Sequence, residues 1–352
     1  MSLTARTSWP ETYRRGSHCF STMLSNVFEG TGFDLDEELC FVIGGGFGFL
    51  FHREESTSYV NARMHDLEHF FARRTGSRIE FVSHPDADAM TERARDWSEQ
   101  GLLPYLYCEA RELPSFAGVL PWDEVHAFGE HALPVRTVLP NGDLICNDYL
   151  WSTPLPVSAA SAAAAASMPS DGSLLMAAPA RKFAVGRIVP PRLVPDLDEV
   201  LTVSLAESAE LFLNPANNTQ GERALKALER ELSSMSDVLT TQQIRRELLS
   251  ISTMLEKIGT GGGAGRHLFS RGLRASARHL GHGDLDPVAD RYASLGRGWR
   301  AFASALRAHA RAKDPREGWG DLVSRMRELR RAELEAVSRL SSLATSLLRG
   351  TS

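Results

Sequence analysis

Cys19 follows three small or polar residues, Gly16, Ser17 and His18, and opens an apolar run that closes on Gly30. Phe20, Leu24, Val27 and Phe28 recur at i, i+4, i+7 and i+8, the signature of one buried helical stripe. The spacing predicts Cys19 in the first turn of a helix, where unpaired backbone N–H groups and the positive dipole end favour an anion. A thiol held there ionises more readily, and the thiolate is the reactive form. The same N–H groups can hold a developing oxyanion. The competing reading is a free cysteine packed as a small hydrophobe.

Such a nucleophile needs a base, and the base needs a group to orient it. The run from Glu130 and His131 to Leu139 is extended and β-rich, Pro140-Asn141-Gly142-Asp143 is a hairpin signal, and the chain returns through Leu144-Ile145-Cys146-Asn147-Asp148. Folding about that turn brings His131 towards Asp148, 17 positions later. A strict two-residue turn would pair Asp148 with Val135, so contact with His131 requires a bulge or a longer loop. Pro134 marks this strand as an edge or bulged one. Once in contact, Asp148 would fix the imidazole tautomer and stabilise the imidazolium. His126 is a second candidate base; His131 is preferred because it opens the strand that leads into the turn. The plain reading is a surface hairpin with an ordinary polar pair.

The elements that must position these residues sit in a chain of 352 residues, long enough for two domains. The net charge of −5 gives no general attraction to nucleic acid. The four cysteines, Cys19, Cys40, Cys108 and Cys146, match no zinc-ligand or disulfide pattern, and the last three are expected in apolar strands of the core. No signal peptide and no membrane-spanning apolar run is expected, and a reducing cytoplasm suits the thiols. Phe41–Phe51 reads as an apolar strand broken by glycines, without the Lys-Ser/Thr ending of a phosphate loop. Residues 60–75 and 87–100 read as helices and 102–108 as a strand. Ser158–Ser167 is nearly all alanine, a short helix or a joint. From Asp196 onward the pattern is helical, with Leu201, Leu205, Ala209 and Leu213 on one face and Ile244, Leu248, Ile251 and Leu255 on another. Gly259–Gly265, before Arg266 and His267, reads as an interhelical linker or as an anion-tolerant loop.

In order and spacing the chain resembles the family of the butirosin biosynthesis protein H amino-terminal domain, a papain-like cysteine acyltransferase group. The resemblance lies in His18-Cys19 before an apolar helix, Glu38-Leu39-Cys40 through Gly44-Gly45-Gly46 to Phe51, Leu103 to Glu109, Glu112-Leu113-Pro114, and the Glu130-His131 and Asn147-Asp148 pairs. Glu256-Lys257 through Gly263 to Arg266 is similar to the companion carboxy-terminal domain. The resemblance implies an α+β protein: a papain-like amino-terminal domain, the nucleophile helix packed on an antiparallel sheet, over residues 1–157. An Ala/Ser/Pro-rich connection over 158–190 and a mostly α-helical domain over 191–352 then follow.

It also implies that Cys19, His131 and Asp148 form a triad, and that an acyl group moves from a carrier-protein thioester to an amine in specialised metabolite assembly. No cofactor is implied beyond the phosphopantetheine arm presenting the substrate. The partners are an acyl or peptidyl carrier protein and a small amine acceptor, with homo-oligomerisation open and neither nucleic acid nor membrane engaged. Thioesterase-like release, cyclisation or amide hydrolysis by the same triad is the neighbouring reading, and an inactive carrier-binding scaffold the reading from another class. This chain departs from the pattern in having Ala-Leu-Pro-Val after His131 and no Gln before Cys19. The oxyanion task then falls to backbone N–H groups, or to a side chain such as His18.

Overall fold

The computed structural model describes residues 8–54, 57–63, 66–119, 131–167 and 182–350. They form an α+β chain with an antiparallel sheet and a helical carboxy-terminal region. Two compact units divide it: residues 8–40, 67–119, 131–167 and 182–196 in the first, and residues 41–54, 57–63, 66 and 197–350 in the second. His126 and Glu130 lie outside the described residues.

The first unit is built on a six-stranded antiparallel sheet. Its strands are β3 (Arg78–Ser83), β4 (Tyr105–Cys108), β5 (His131–Val138), β6 (Leu144–Asp148), β7 (Trp151–Val157) and β8 (Ala184–Val189), in the order β3-β8-β4-β5-β6-β7. Residues 184–189, within the stretch expected to be a connection, therefore supply an interior strand. Their run Ala-Val-Gly-Arg-Ile-Val has the β-branched content that a central strand needs. Pro154 and Pro156 fall on the edge strand β7, where a missing N–H is tolerated. Pro134 does not mark an edge: β5 lies between β4 and β6. The accommodation is a register shift at Arg136, between the pairs Val135–Cys146 and Thr137–Ile145.

Helix α1 (Cys19–Phe28) packs against β5 and against α3 (Leu67–Thr75). Its periodic apolar residues are all buried, as are the polar residues between them, so α1 is enclosed rather than amphipathic. Phe20 is fixed among Tyr107 at 5.3 Å and Tyr105 at 6.0 Å, and Phe28 against Phe71 at 5.3 Å. Burial of one such ring contributes about 1.5–3 kcal/mol. Helix α4 (Ala87–Glu99) is capped by Asp86, whose side chain accepts from the Ala89 N–H. Helix α5 (Ala159–Ser167) turns the alanine tract against β4.

The expected strand from Phe41 begins instead as a helix, α2 (Glu37–Ile43), and Cys40 is a buried helical residue. Asp36 is the acceptor for the N–H groups of Leu39 and Cys40, which starts the turn. Only Leu50–Glu54 is extended, as β1, paired with β2 (Thr57–Asn61), so the single helix expected from residue 60 also gives way to a strand end and α3. In the second unit, β1 bonds residues 219 and 220, and Ser58 donates its N–H to Glu247 at 2.8 Å. The other elements of that unit are α6 (Leu197–Leu213), α7 (Gly221–Val238), α8 (Thr241–Glu256), α9 (Arg266–Leu280), α10 (Leu285–Arg311) and α11 (Trp319–Gly350). Ile244, Leu248, Ile251 and Leu255 form a buried face of α8, while on α6 Phe212 takes the inward place expected of Leu213. No helix among the described residues is long and apolar enough to cross a membrane.

Candidate active site

Cys19 is the first residue of α1, with His18 at the cap. The cap is a side-chain one: His18 Nδ1 accepts from the Ser21 N–H at 3.3 Å. That role fixes the His18 proton on Nε2 and spends its acceptor on the helix.

Glu37 completes the turn. Its Oε1 accepts from the N–H groups of Ser17 at 2.7 Å and His18 at 2.9 Å, and from the hydroxyls of Thr22 at 3.0 Å and Ser21 at 3.3 Å. Nothing in the sequence reading singled out Glu37; the signal was a carboxylate opening the next helix, 18 residues after Cys19. Asn26 holds the approach to the turn, accepting from the Arg14 N–H and donating to the Arg14 carbonyl.

The same approach segment is laced to the hairpin. The Tyr13 N–H donates to the Ser152 carbonyl at 3.3 Å, and the Gly16 N–H to the Tyr149 carbonyl at 2.8 Å. These bonds set α1 beside the β6–β7 turn, immediately after Asp148.

The β5–β6 hairpin closes through Leu139 and Asp143, with Pro140, Asn141 and Gly142 in the loop. Gly142 adopts a φ of +87°, which a non-glycine residue rarely takes. The longer loop and the shift at Arg136 together displace the pairing, so Asp148 meets His131 diagonally. His131 Nε2 and Asp148 Oδ2 are 3.0 Å apart, both side chains almost fully buried.

Burial opposes charge on the His131 imidazole. The Asp148 carboxylate overrides it, by its charge and its hydrogen bond, with further help from the nearby Cys19. The balance raises the His131 pKa to about 10. With Nε2 turned to Asp148, Nδ1 is the nitrogen available to the Cys19 sulfur. Phe116 flanks the ring edge-on at 5.0 Å and Tyr149 lies at 5.8 Å. Cys19, His131 and Asp148 are thus brought to one place, and Cys19 keeps 6% of its surface open.

The remaining thiols are held in reserve as packing groups. Cys40, Cys108 and Cys146 are buried, and burial first, then nearby carboxylates, raises each above the usual thiol range. No set of metal-ligand side chains is gathered around Cys19 among the described residues. A thiol close to an imidazole that a carboxylate holds has the parts needed to attack a carbonyl carbon and return a proton to the leaving group.

The Gly259–Gly265 loop lies in the second unit. Its Gly263 N–H is taken by Glu256 Oε1 at 2.7 Å, so the anion it serves is an internal carboxylate. Arg266 is buried in an ion pair with Glu333 at 2.7 Å. A Cβ on Gly263 would come within 2.6 Å of the Gly296 carbonyl, so glycine there permits close packing of loop on helix. This is the interhelical linker of the two readings.

Residues 18–135 match the family model described as butirosin biosynthesis protein H, N-terminal, and residues 173–340 match one described as a domain of unknown function (DUF4872). No curated protein matches the chain.

Proposed function

From a butirosin biosynthesis protein H-like amino-terminal domain as the premise, we propose that this chain is a cysteine-dependent acyltransferase of natural product biosynthesis with a papain-like catalytic core. The observation that carries the reading is the Asp148–His131 hydrogen bond with Cys19 close to the imidazole at the tip of an enclosed helix. Cys19 thiolate attacks the carbonyl carbon of an acyl, aminoacyl or peptidyl thioester on a carrier protein. The carrier thiolate leaves and takes its proton from the His131 imidazolium. An amine then attacks the acyl-enzyme, His131 accepting the amine proton as the C–S bond breaks. The scarcity of open surface at Cys19 favours an amine seated beside the acyl group over bulk water. The reaction requires a reduced thiol, hence a reducing compartment, and no cofactor beyond the carrier's phosphopantetheine arm.

Intact mass spectrometry after exposure to a panel of N-acetylcysteamine thioesters tests this. An acyl adduct on Cys19, discharged as an amide when amines are added, is the expected result. Discharge to the free acid or to a ring regardless of amine would assign release or cyclisation instead. Full biological activity in Cys19→Ala would mean a carrier-binding scaffold.

A further inference from the structure

The backbone N–H groups at the head of α1 can be accounted for one by one. Those of Ser17 and His18 go to Glu37, that of Ser21 to the His18 ring, and that of Thr22 to the His18 carbonyl. The N–H groups of Cys19 and Phe20 have no acceptor among the described residues. The expected side-chain helper, His18, spends only its Nδ1 acceptor on the cap.

The polar groups near the site that are buried without a partner include the Asn147 side-chain amide and the Tyr13 hydroxyl. Tyr13, six residues before Cys19, is 1% exposed, and its Oη makes no hydrogen bond to the described residues. Its backbone is tied to Ser152, and Gly16, three residues on, to Tyr149, so the segment runs along the turn that follows Asp148. Its ring is packed edge-on against Trp9 at 6.1 Å. Burial, and then the charges of Asp148, Cys19 and Glu37, hold the phenol well above its usual pKa, so it stays an O–H donor within electrostatic reach of the nucleophile. An enclosed hydroxyl without an acceptor is costly to keep and calls for an explanation.

We propose that Tyr13 Oη and the Cys19 N–H form the oxyanion-binding pair of the acyl transfer inferred above, on which this assignment rests. As the Cys19 sulfur bonds to the carbonyl carbon, the C=O π pair moves onto oxygen, and that oxyanion receives the two donors. When the C=O re-forms, the bond to the leaving thiolate breaks and His131 supplies its proton. Tyr13 would thereby replace the glutamine that this chain lacks before Cys19.

Two probes of Cys19 separate this from a structural role. 4-Nitrophenyl acetate acylates through an oxyanion, whereas iodoacetamide loses iodide from a saturated carbon and builds none. Tyr13→Phe removes only a hydroxyl that no described residue bonds. It should slow acylation by about 100- to 1000-fold, the cost of losing one oxyanion donor, while leaving the alkylation rate and its pH profile unchanged. A parallel fall in both rates, or no fall in either, overturns the role of Tyr13 alone. Failure of the native protein to acylate at Cys19 overturns that role together with the acyltransferase reading.

Discussion

The His131–Asp148 contact makes two measurable statements. The imidazole pKa stands near 10 in the folded protein against 6.5 as an ordinary value. A group raised by folding stabilises fully below its unfolded pKa and loses that contribution as pH rises through the folded one. The melting temperature should therefore fall between pH 6.5 and 10, and Asp148→Asn should flatten that fall; a native profile already flat across this window would contradict the pairing. In turnover the same substitution should lower kcat by about two to four orders of magnitude. It should also move the alkaline limb of the pH–rate profile down by about 1–3 pH units. A second expectation concerns selectivity. With the other three thiols buried and raised in pKa, brief iodoacetamide treatment at neutral pH should mark Cys19 alone by peptide mapping.

At the scale of elements, the pre-nucleophile turn depends on small size and on one carboxylate. A Cβ on Gly16 would strike Thr22 Oγ1 and lie 2.7 Å from the Glu37 carboxyl carbon. Gly16→Ala should thus cost about 1–3 kcal/mol by urea denaturation and slow Cys19 alkylation, because it displaces the helix tip. Glu37→Ala leaves two backbone donors without an acceptor and should cost a similar amount, about 1–3 kcal/mol. The sequence made α1, the Asn-Gly hairpin and the need for a register shift legible, because glycine, proline and apolar spacing record backbone demands locally. It hid Glu37 and Tyr13, whose roles exist only once residues distant in sequence converge. The Phe41 run was misread for a physical reason: a short, wholly apolar stretch has no period, and the acidic start at Asp36, Glu37 and Glu38 was the cue to a helix.

At the scale of the molecule, the helical unit is organised around an ion pair in its interior. Glu333 Oε1 receives both Arg266 Nε at 2.7 Å and Trp299 Nε1 at 2.6 Å, and Arg266 also donates to the carbonyls of Ala62 and Ala264. Removing one charge strands the other, so Glu333→Ala should cost about 3–5 kcal/mol in chemical denaturation. An apolar replacement of both partners, Arg266→Met with Glu333→Leu, should cost less than the single change; the reverse order would count against an isolated pair. The helical periodicity of this unit was plain in the sequence. Its pairing of residues 62, 266 and 333 was not, because an arginine beside glycines carries no mark of burial.

The place of β8 has a consequence for how the protein comes into being. Strand β8 bonds β3 on one side and β4 on the other, yet it is made last of the six. As the chain leaves the ribosome, the nucleophile helix and five strands wait with a gap in their midst until residues 184–189 have emerged. At about 5–20 residues per second, the stretch after β7 delays closure by seconds. Nascent chains arrested shortly after residue 157 should expose unpaired strand edges and recruit holdase chaperones, and those arrested well beyond residue 190 should not.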